Sequence, residues 1–221
     1  EIKKLLPGRP YWIFDEENIK NETRRKKVKG AFAASADGML IGTEMILEEP
    51  ELAGDFVAVV HLDNLFSLPD FRIHERILTI LLKLEEKTKN PMLLQTRFPQ
   101  HPLFQHFITG RIRQFLDDEL AERKTENLPP FSLFVKVSIE SKNASDATAK
   151  IKALQSRLKN FGKEVLTYQP LRIPGKKKIW RAALVFLTRE DVWIKNEEMI
   201  RKELKTFAFD WDIAVDPPDT V

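Results

Sequence analysis

Short apolar runs alternate with helix-forming segments along the first hundred residues, and this alternation limits the folds open to the chain. Four runs are typical of strands, and they lie at residues 11–15, 39–43, 57–62 and 92–96. The run at 57–62 is apolar almost throughout, as expected for a strand covered on both faces. Helices are predicted between the runs, at residues 21–34 and 70–87. Such alternation predicts an α/β domain with a parallel sheet and helices on its faces.

An amphipathic helix followed by two prolines marks a change of pattern in the middle of the chain. Residues 111–126 place Ile112, Phe115, Leu116 and Leu120 on one stripe. The helix is expected to end before Pro129, because a proline disfavours helical backbone in the residue that precedes it. The sequence therefore predicts a domain over residues 1–110, a linking helix and boundary over 111–130, and a second domain over 131–221.

Beyond the prolines the predicted order of elements is β-α-β-β-α-β. The strands lie at 131–141, 163–173, 179–187 and 209–215, and the helices at 145–161 and from 196 onward. Val135, Val137 and Ile139 alternate with polar residues, which indicates a strand with one buried face. Ser145 and Asn196 are predicted to cap the two helices. This order matches the split βαβ, ferredoxin-like pattern of a small α+β domain.

Composition excludes several kinds of site. The chain has no cysteine, which rules out disulfides and thiolate zinc sites and fits a cytoplasmic protein. Its four histidines lack metal-ligand spacing, so no metal site is expected. No run of about 18 apolar residues occurs, so no membrane span is expected. No Ser-His-Asp arrangement can be argued from the sequence, and no catalytic residue is predicted.

Positive charge is concentrated in the second half of the chain. Residues 131–221 hold 17 Lys and Arg against 12 Asp and Glu, whereas residues 1–130 hold 19 against 21. An anionic partner is therefore expected to meet the second half first. Residues 24–29 also form a basic helix start, for which an exposed helix face is the favoured interpretation.

The strongest candidate for a binding site is the turn PGKKKIWR at residues 174–181. Lysines on a turn can meet phosphates, and an aromatic ring beside them can stack on an exposed base. The alternative is a solvated hairpin tip with a core-facing tryptophan. The predicted nucleic-acid-binding residues are Lys176, Lys177, Lys178, Trp180, Arg181 and Arg172.

Several segments resemble a single family, in order along the chain. They are GMLIGTEM at 38–45, VAVVHLDNLFSLPDFRIHER at 57–76, MLLQTRFPQHPLF at 92–104, the Trp180-Arg181 pair, and Val-Asp-Pro at 215–217. These segments resemble the second motor lobe and the C-terminal domain of the bacterial primosomal replication-restart helicase family. The resemblance implies a truncated RecA-like parallel-sheet lobe followed by a ribosomal-protein-like domain. It also makes Gly42, Thr43, Arg72 and Arg76 candidates for the remnant of a helicase motif. The favoured alternative is that Arg72, Glu75 and Arg76 form a structural salt-bridge set on one helix and that Gly42-Thr43 ends a strand.

Departures from the family fall where its chemistry would be. The family uses ATP, Mg²⁺ and structural Zn²⁺, but no phosphate-binding G-x-x-x-x-G-K-[ST] sequence occurs here. The arginine-finger segment that the family places between Arg76 and Met92 is absent. Glu44 stands where the family has a glutamine, and Glu48-Glu49-Pro50 follow where the family has a Lys-Gly pair, so that two anions replace a cation. Carboxylates repel phosphates. The resemblance thus implies a motor lobe without ATP hydrolysis, and no cofactor is expected in this chain.

These observations leave more than one function open. The first hypothesis is a non-catalytic DNA-binding module that acts in DNA replication and fork restart. Its implied partners are forked or single-stranded DNA, single-stranded-DNA-binding protein and primosome components. The second is a protein–protein scaffold of a primosome-like assembly with no direct DNA contact. The third is a partial chain of a larger helicase.

Overall fold

The chain folds into two compact units of mixed α/β structure. The computed structural model describes residues 4, 7–68, 70–158, 165–172, 178–206 and 210–217. The first unit comprises Glu1–Leu68 and Arg72–Gln105, and the second comprises Pro69–Phe71 and His106–Val221. The predicted α/β class is confirmed, with parallel strand pairs in the first unit and an antiparallel sheet in the second. Among the described helices, none is both long enough and apolar enough to cross a membrane.

Short parallel strand pairs and helices alternate in the first unit. Its strands are β1 (Tyr11–Phe14), β2 (Met39–Gly42), β3 (Ala58–Val59) and β4 (Leu93–Leu94), where β1 pairs with β2 and β3 with β4. The helices up to the second unit are α1 (Glu22–Ala33), α2 (Ile73–Glu85) and α3 (Pro102–Ile108), and 3₁₀ turns occupy Glu44–Glu48 and Leu62–Ser67. Asn21 caps α1, because its side-chain oxygen accepts the Arg24 N–H at 2.8 Å.

The expectation that residues 57–62 form a strand covered on both faces is wrong. Only Ala58 and Val59 are in strand conformation, and they pair with a strand that is equally short. Val59 is buried, whereas Val60 is 54% exposed and Leu93 on β4 is 67% exposed. Phe56, which precedes β3, is 79% exposed. Among the described residues, the β3–β4 pair is therefore buried on the face of Val59 and exposed to solvent on the face of Val60 and Leu93.

The second unit is built on a four-stranded antiparallel sheet in the order β6-β7-β5-β8. Its elements are α4 (Ile112–Glu126), β5 (Leu133–Ser141), α5 (Ala144–Leu158), β6 (Val165–Arg172), β7 (Trp180–Thr188), α6 (Glu190–Leu204) and β8 (Trp211–Val215). β6 lies at an edge of the sheet, and its register to β7 shifts between Tyr168 and Leu171. Pro170 lies within this irregularity, where its missing N–H breaks no regular pairing.

The core of the second unit lies between one face of the sheet and the helices α5 and α6. The predicted alternation of β5 is confirmed, because Val135, Val137 and Ile139 are at most 1% exposed. The facing helix residues include Leu154 on α5 and Leu204 on α6, both fully buried. Long strands with a strict period of two were therefore placed correctly from sequence alone.

Both predicted helix caps in the second unit are wrong. Asn143, not Ser145, begins α5, because its side-chain oxygen accepts the Asp146 N–H at 2.7 Å. Asn196 lies in the middle of α6, where its Nδ2 donates to the Val192 carbonyl at 2.7 Å. α6 begins six residues earlier at Glu190, and the acidic Glu190 and Asp191 occupy its positively polarised first turn.

The apolar stripe predicted on α4 is only partly buried. Phe115 is 3% exposed, but Leu116 and Leu120 are 43% and 45% exposed. Arg123 is buried instead, and its guanidinium lies 5.2 Å from the ring centroid of Phe71. Asn127 ends α4 in a left-handed conformation at φ 55°, a helix-terminating geometry that asparagine tolerates.

The Val-Asp-Pro segment at residues 215–217 has a structural role. The Asp216 side chain accepts the Phe134 N–H at 2.7 Å, and the Asp216 N–H donates to the Phe134 carbonyl at 2.8 Å. These two bonds extend the β5–β8 pairing past its last strand pair, Val135↔Val215. The segment thereby fixes the end of β8 to the start of β5.

A buried and an exposed leucine give a matched test of this packing. Leu154→Ala should lower the free energy of unfolding by about 2–5 kcal/mol, because it empties space in a closed core. Leu120→Ala should cost less than about 1 kcal/mol. Both lie on helices, so the change in helix propensity is the same. Urea unfolding followed by tryptophan fluorescence measures the difference, and equal losses would contradict the assigned burial.

Candidate nucleic-acid interface

The predicted binding turn joins β6 to β7 in the second unit. Leu171 pairs with Arg181 and Arg172 pairs with Trp180 in the antiparallel register. Lys178 is exposed and adopts a left-handed conformation at φ 61°, which directs the chain through the end of the turn. Lys176 and Lys177 lie outside the described residues, so their placement stays a prediction.

Trp180 and Arg181 lie on opposite faces of the sheet, as successive residues of a strand must. Trp180 is half-buried and packs against the core on the side of α5 and α6. Arg172, its register partner, is exposed on that same side. Arg181 lies on the other face beside its own partner in β5. The structure therefore brings Arg172 and Trp180 together and separates them from Arg181.

Arg181 is held by a carboxylate across the sheet. Its Nη2 lies 2.8 Å from Oε1 of Glu140, the residue directly opposite on β5. The two side chains are 51% and 35% exposed, and solvent screens a pair of this kind strongly. The pair therefore contributes little to stability, and Arg181 is about half exposed on this face of the sheet.

The four residues of the predicted helicase remnant have separate roles. Gly42 is required by close approach, because a Cβ there would lie 2.4 Å from the Phe14 carbonyl oxygen. Thr43 precedes the 3₁₀ turn without a side-chain capping bond. Arg72 lies immediately before α2. Arg76 reaches off α2, and its Nη2 lies 3.1 Å from both carboxylate oxygens of Glu44.

An open depression of about 390 Å³ contains part of this remnant. Thr43, Glu44 and Arg76 contribute to its lining, together with Glu16, Met45, Leu47, Glu48 and Lys83. Three carboxylates face two cations there, and one of those cations is already paired with Glu44. The balance of charge disfavours a phosphate group. Among the described residues, no group of three or more His, Asp or Glu side chains is placed to hold a metal ion.

Glu49 is buried in a network of charges that the sequence did not reveal. It is 4% exposed. Its carboxylate lies 3.2 Å from Nη1 of Arg25 and 2.5 Å from Nζ of Lys29. The hydrogen bond to Glu49 raises the pKa of Lys29. The Lys29 ammonium in turn lowers the pKa of Glu51.

Lys87 closes the same network from the end of α2. Its buried ammonium donates to the backbone carbonyls of Glu49 and Leu52, the latter at 3.3 Å. Glu49 is thus committed to intramolecular contacts, while its neighbour Glu48 is exposed. Repulsion of a phosphate at residues 48–50 was predicted for both carboxylates, but only Glu48 faces the depression. No pattern in the sequence marks Lys87 as the partner of this segment.

Glu49→Gln tests whether this network stabilises the first unit. The substitution keeps the shape but removes the carboxylate from Arg25 and leaves Lys29 only the exposed Glu51, and it should cost about 1–3 kcal/mol. The exposed Glu48→Gln is the matched control and should change stability by less than about 0.5 kcal/mol. Urea unfolding followed by circular dichroism measures both. A Glu49→Gln loss no larger than that of the control would contradict the structural role.

Comparison with known proteins gives a consistent set of relatives. The replication restart protein PriA of Borreliella burgdorferi is 27% identical over 198 residues, which cover 86% of this chain and 30% of the relative. PriA of Thermotoga maritima is 24% identical over 231 aligned residues, covering 99% of this chain and 30% of the relative. PriA of Bacillus subtilis is 25% identical over 183 residues, covering 79% and 22%. No protein-family model matches the chain.

The chain spans less than a third of the length of these curated relatives, while the relatives cover most of the chain. The three relatives come from different bacteria. The resemblance predicted from sequence is confirmed: this chain is similar, over most of its length, to the bacterial replication restart protein PriA.

Proposed function

We propose that this chain is a non-catalytic DNA-binding module that acts in DNA replication restart in the cytoplasm, without an ATPase of its own. The observation that carries the proposal is the similarity to PriA, a replication restart protein by name, over up to 99% of the chain. The proposed partners are forked or single-stranded DNA, single-stranded-DNA-binding protein and other primosome components. ATP, Mg²⁺ and Zn²⁺ have no proposed role in this chain.

The fold supports this assignment in both units. Parallel strand pairs that alternate with helices suit a truncated RecA-like lobe, for which we propose residues 1–110. Residues 111–130 form the proposed linker. In the sheet order β6-β7-β5-β8, the strand β7 lies between β5 and β6. That order suits a split βαβ, ferredoxin-like or ribosomal-protein-like domain over residues 131–221.

The proposed DNA contact is the β6–β7 turn and its flanking strand ends. Lys176, Lys177 and Lys178 would meet phosphates, with Arg172 beside the partly exposed Trp180 on one face. A base that stacks on Trp180 would use only the part of the ring that the core leaves open. Arg181 would exchange Glu140 for a phosphate on the opposite face. The proposed contact therefore wraps the end of the hairpin.

The absence of ATP hydrolysis is proposed from charge and sequence. The depression that contains Thr43, Glu44 and Arg76 has three carboxylates and two cations. Arg76 is engaged by Glu44, and Glu49 is engaged by Arg25 and Lys29. An arginine that stabilises a transferring phosphoryl group must be free to reach it. Arg76 and Glu49 are instead each paired with oppositely charged side chains of the same unit.

A protein–protein scaffold is the second candidate, and one observation favours it. Phe56, Val60 and Leu93 are 79%, 54% and 67% exposed around the β3–β4 pair. Exposed large apolar side chains are candidates for a protein interaction surface. A scaffold would bind its partner in a manner that depends little on salt, whereas phosphate contacts weaken steeply as salt rises.

DNA binding at the hairpin can be tested by fluorescence anisotropy with a forked DNA that carries a single-stranded arm. The variant replaces Lys176, Lys177, Lys178 and Arg181 by alanine. It should reduce the slope of log affinity against log salt by roughly 0.7 for each phosphate contact to a single strand that is lost. Lys202→Ala on α6 is the control. Lys202 is exposed, and its substitution removes one cation from the same unit.

The two candidate functions give different results in this titration. Binding that weakens with salt and is lost in the hairpin variant supports the DNA-binding module. No binding of the folded chain at low salt would overturn it and leave the scaffold as the working model. A hairpin variant that binds as well as Lys202→Ala would show that the contact lies elsewhere.

A further inference from the structure

The outer strand β8 of the second unit has an open edge. It pairs with β5 on one side, and no further strand pairs with it in the part of the chain that the structure describes. We propose that β8 of a second copy of this chain pairs there in antiparallel orientation, so that the two four-stranded sheets become one continuous sheet. β6 lies at the opposite edge, so the β6–β7 turn takes no part in this contact and the proposal does not rest on the proposed function.

The two edges of this sheet differ in how they are protected against pairing with another chain. Natural edge strands are commonly blunted by proline, by bulges or by lysine. β6 has Pro170 within an irregular register. β8, with the sequence WDIAV, has no proline and no lysine, and its register to β5 is unbroken. Its one charged residue is Asp212. The β8 edge is therefore the edge that can accept a further strand.

The hydrogen bonds between β8 and β5 determine which backbone groups of β8 face outward. The Asp216 N–H donates to the Phe134 carbonyl, so these two residues form a hydrogen-bonded pair. Bonded and non-bonded pairs alternate along an antiparallel ladder. Every second residue back from Asp216 therefore directs its backbone groups to β5, and the residues between them direct theirs outward. The N–H and carbonyl groups of Trp211, Ile213 and Val215 thus face the open edge.

One self-pairing register uses all of these outward groups. The two-fold axis must pass through a residue whose backbone faces outward, and an axis at Ile213, the middle residue of β8, gives the longest overlap. Ile213 then pairs with Ile213 of the second copy, and Trp211 pairs with Val215 of that copy. Asp212 lies opposite Ala214 of the second copy, so no like charges meet. An axis at Asp212 would set two carboxylates opposite each other, which destabilises a strand pair. The strand is thus complementary to itself in hydrogen bonds and in charge.

An exposed apolar side chain of β8 would be covered by the second copy. Trp211 and Ile213 pack against the core on the face of the helices. Val215 shares that face, because residues two apart on a strand point the same way. Val215 is 40% exposed. In the proposed register it lies beside Trp211 of the second copy, and a pair of an aromatic and a β-branched side chain stabilises adjacent antiparallel strands.

The flank of α6 on the same side of the unit is also apolar and exposed. Arg157 on α5 and Glu203 on α6 form an ion pair at 3.0 Å, which identifies the flank of α6 that faces α5. Ile194 precedes Glu203 by about two and a half helical turns, so it lies on the opposite flank. α5 packs on β6, β7 and β5, and the flank away from α5 is therefore on the β8 side. Ile194 is 67% exposed there.

Charges on this flank of α6 are complementary to themselves. Glu197 and Arg201 follow Ile194 by about one and two turns, and Arg201 Nε lies 2.9 Å from Glu197 Oε1. A two-fold axis that makes the β8 strands antiparallel also makes the two α6 helices antiparallel. Each Glu197 can then face Arg201 of the other copy, so the flank favours a second copy of the same chain as its partner.

Single-cysteine variants of the full chain test the register. The chain has no cysteine of its own, so any disulfide must join two copies. Ile213→Cys should form a disulfide-linked dimer on mild oxidation, because the Cα atoms of a hydrogen-bonded pair lie about 5.5 Å apart, within the range of a disulfide. Val215→Cys is the matched control on the same strand. Its two copies would lie roughly 13 Å apart along the strands and should not be linked. Electrophoresis without reductant measures both.

Sedimentation equilibrium of the full chain tests the charges and the helix flank. Ala214→Asp sets a second carboxylate against Asp212 of the other copy and should weaken dimerisation by about tenfold or more. Adding Asp212→Lys to that variant restores opposite charges and should recover the dimer. Ile194→Lys should also weaken the dimer, whereas Ile108→Lys should not, although Ile108 on α3 is 70% exposed. Circular dichroism verifies that each variant is folded.

The outcomes separate this contact from other kinds of association. Disulfide linkage at residue 213 and not at 215, together with loss and recovery of the dimer in the two charge variants, supports the β8 contact. A folded chain that stays monomeric at every concentration overturns it. Linkage at residue 215 as rapid as at 213, or a dimer that Ala214→Asp does not weaken, also overturns it. None of these results changes the outcome of the DNA titration at the hairpin.

Discussion

The buried carboxylate of Glu49 is the constraint on which the first unit depends most. A carboxylate that is 4% exposed needs charged partners, and it takes them from α1, through Arg25 and Lys29. Lys87, at the end of α2, holds the backbone of the same segment. Two helices and the connection after β2 are therefore tied together by one ionic network.

The second unit depends on packing rather than on charge. β5 is one of the two inner strands of the sheet, with nine residues paired to β7 and five to β8. One face of the sheet is sealed by α5 and α6, so Trp180 contributes part of its ring to the core. This packing ties the start of β7 to the core. In the proposed contact, the lysines of the turn would meet a phosphate backbone from strands that are already paired.

The sequence predicted long, regular elements well and tertiary contacts poorly. β5 and α5 were placed because strict periodicity survives in any context. The cap predicted at Asn196 was wrong because asparagine caps helices but also occurs inside them. The buried residues of α6 lie both before and after Asn196, at Trp193 and at Ile200 and Leu204. Longer strands were predicted at 57–62 and 92–96, but only residues 58–59 and 93–94 pair, and they pair with each other. The opposite faces of Trp180 and Arg181 follow from strand alternation and could have been predicted. The burial of Glu49 and Lys87 could not, since it rests on residues distant in sequence.

The central claim is that DNA meets the β6–β7 turn, while the segment resembling a motor motif is occupied by its own contacts. Amide hydrogen–deuterium exchange, with and without a forked DNA that carries a single-stranded arm, tests this most directly. The account predicts slower exchange in residues 165–181, with no change in residues 42–49. Protection centred on residues 42–49, or no protection in residues 165–181, would contradict it.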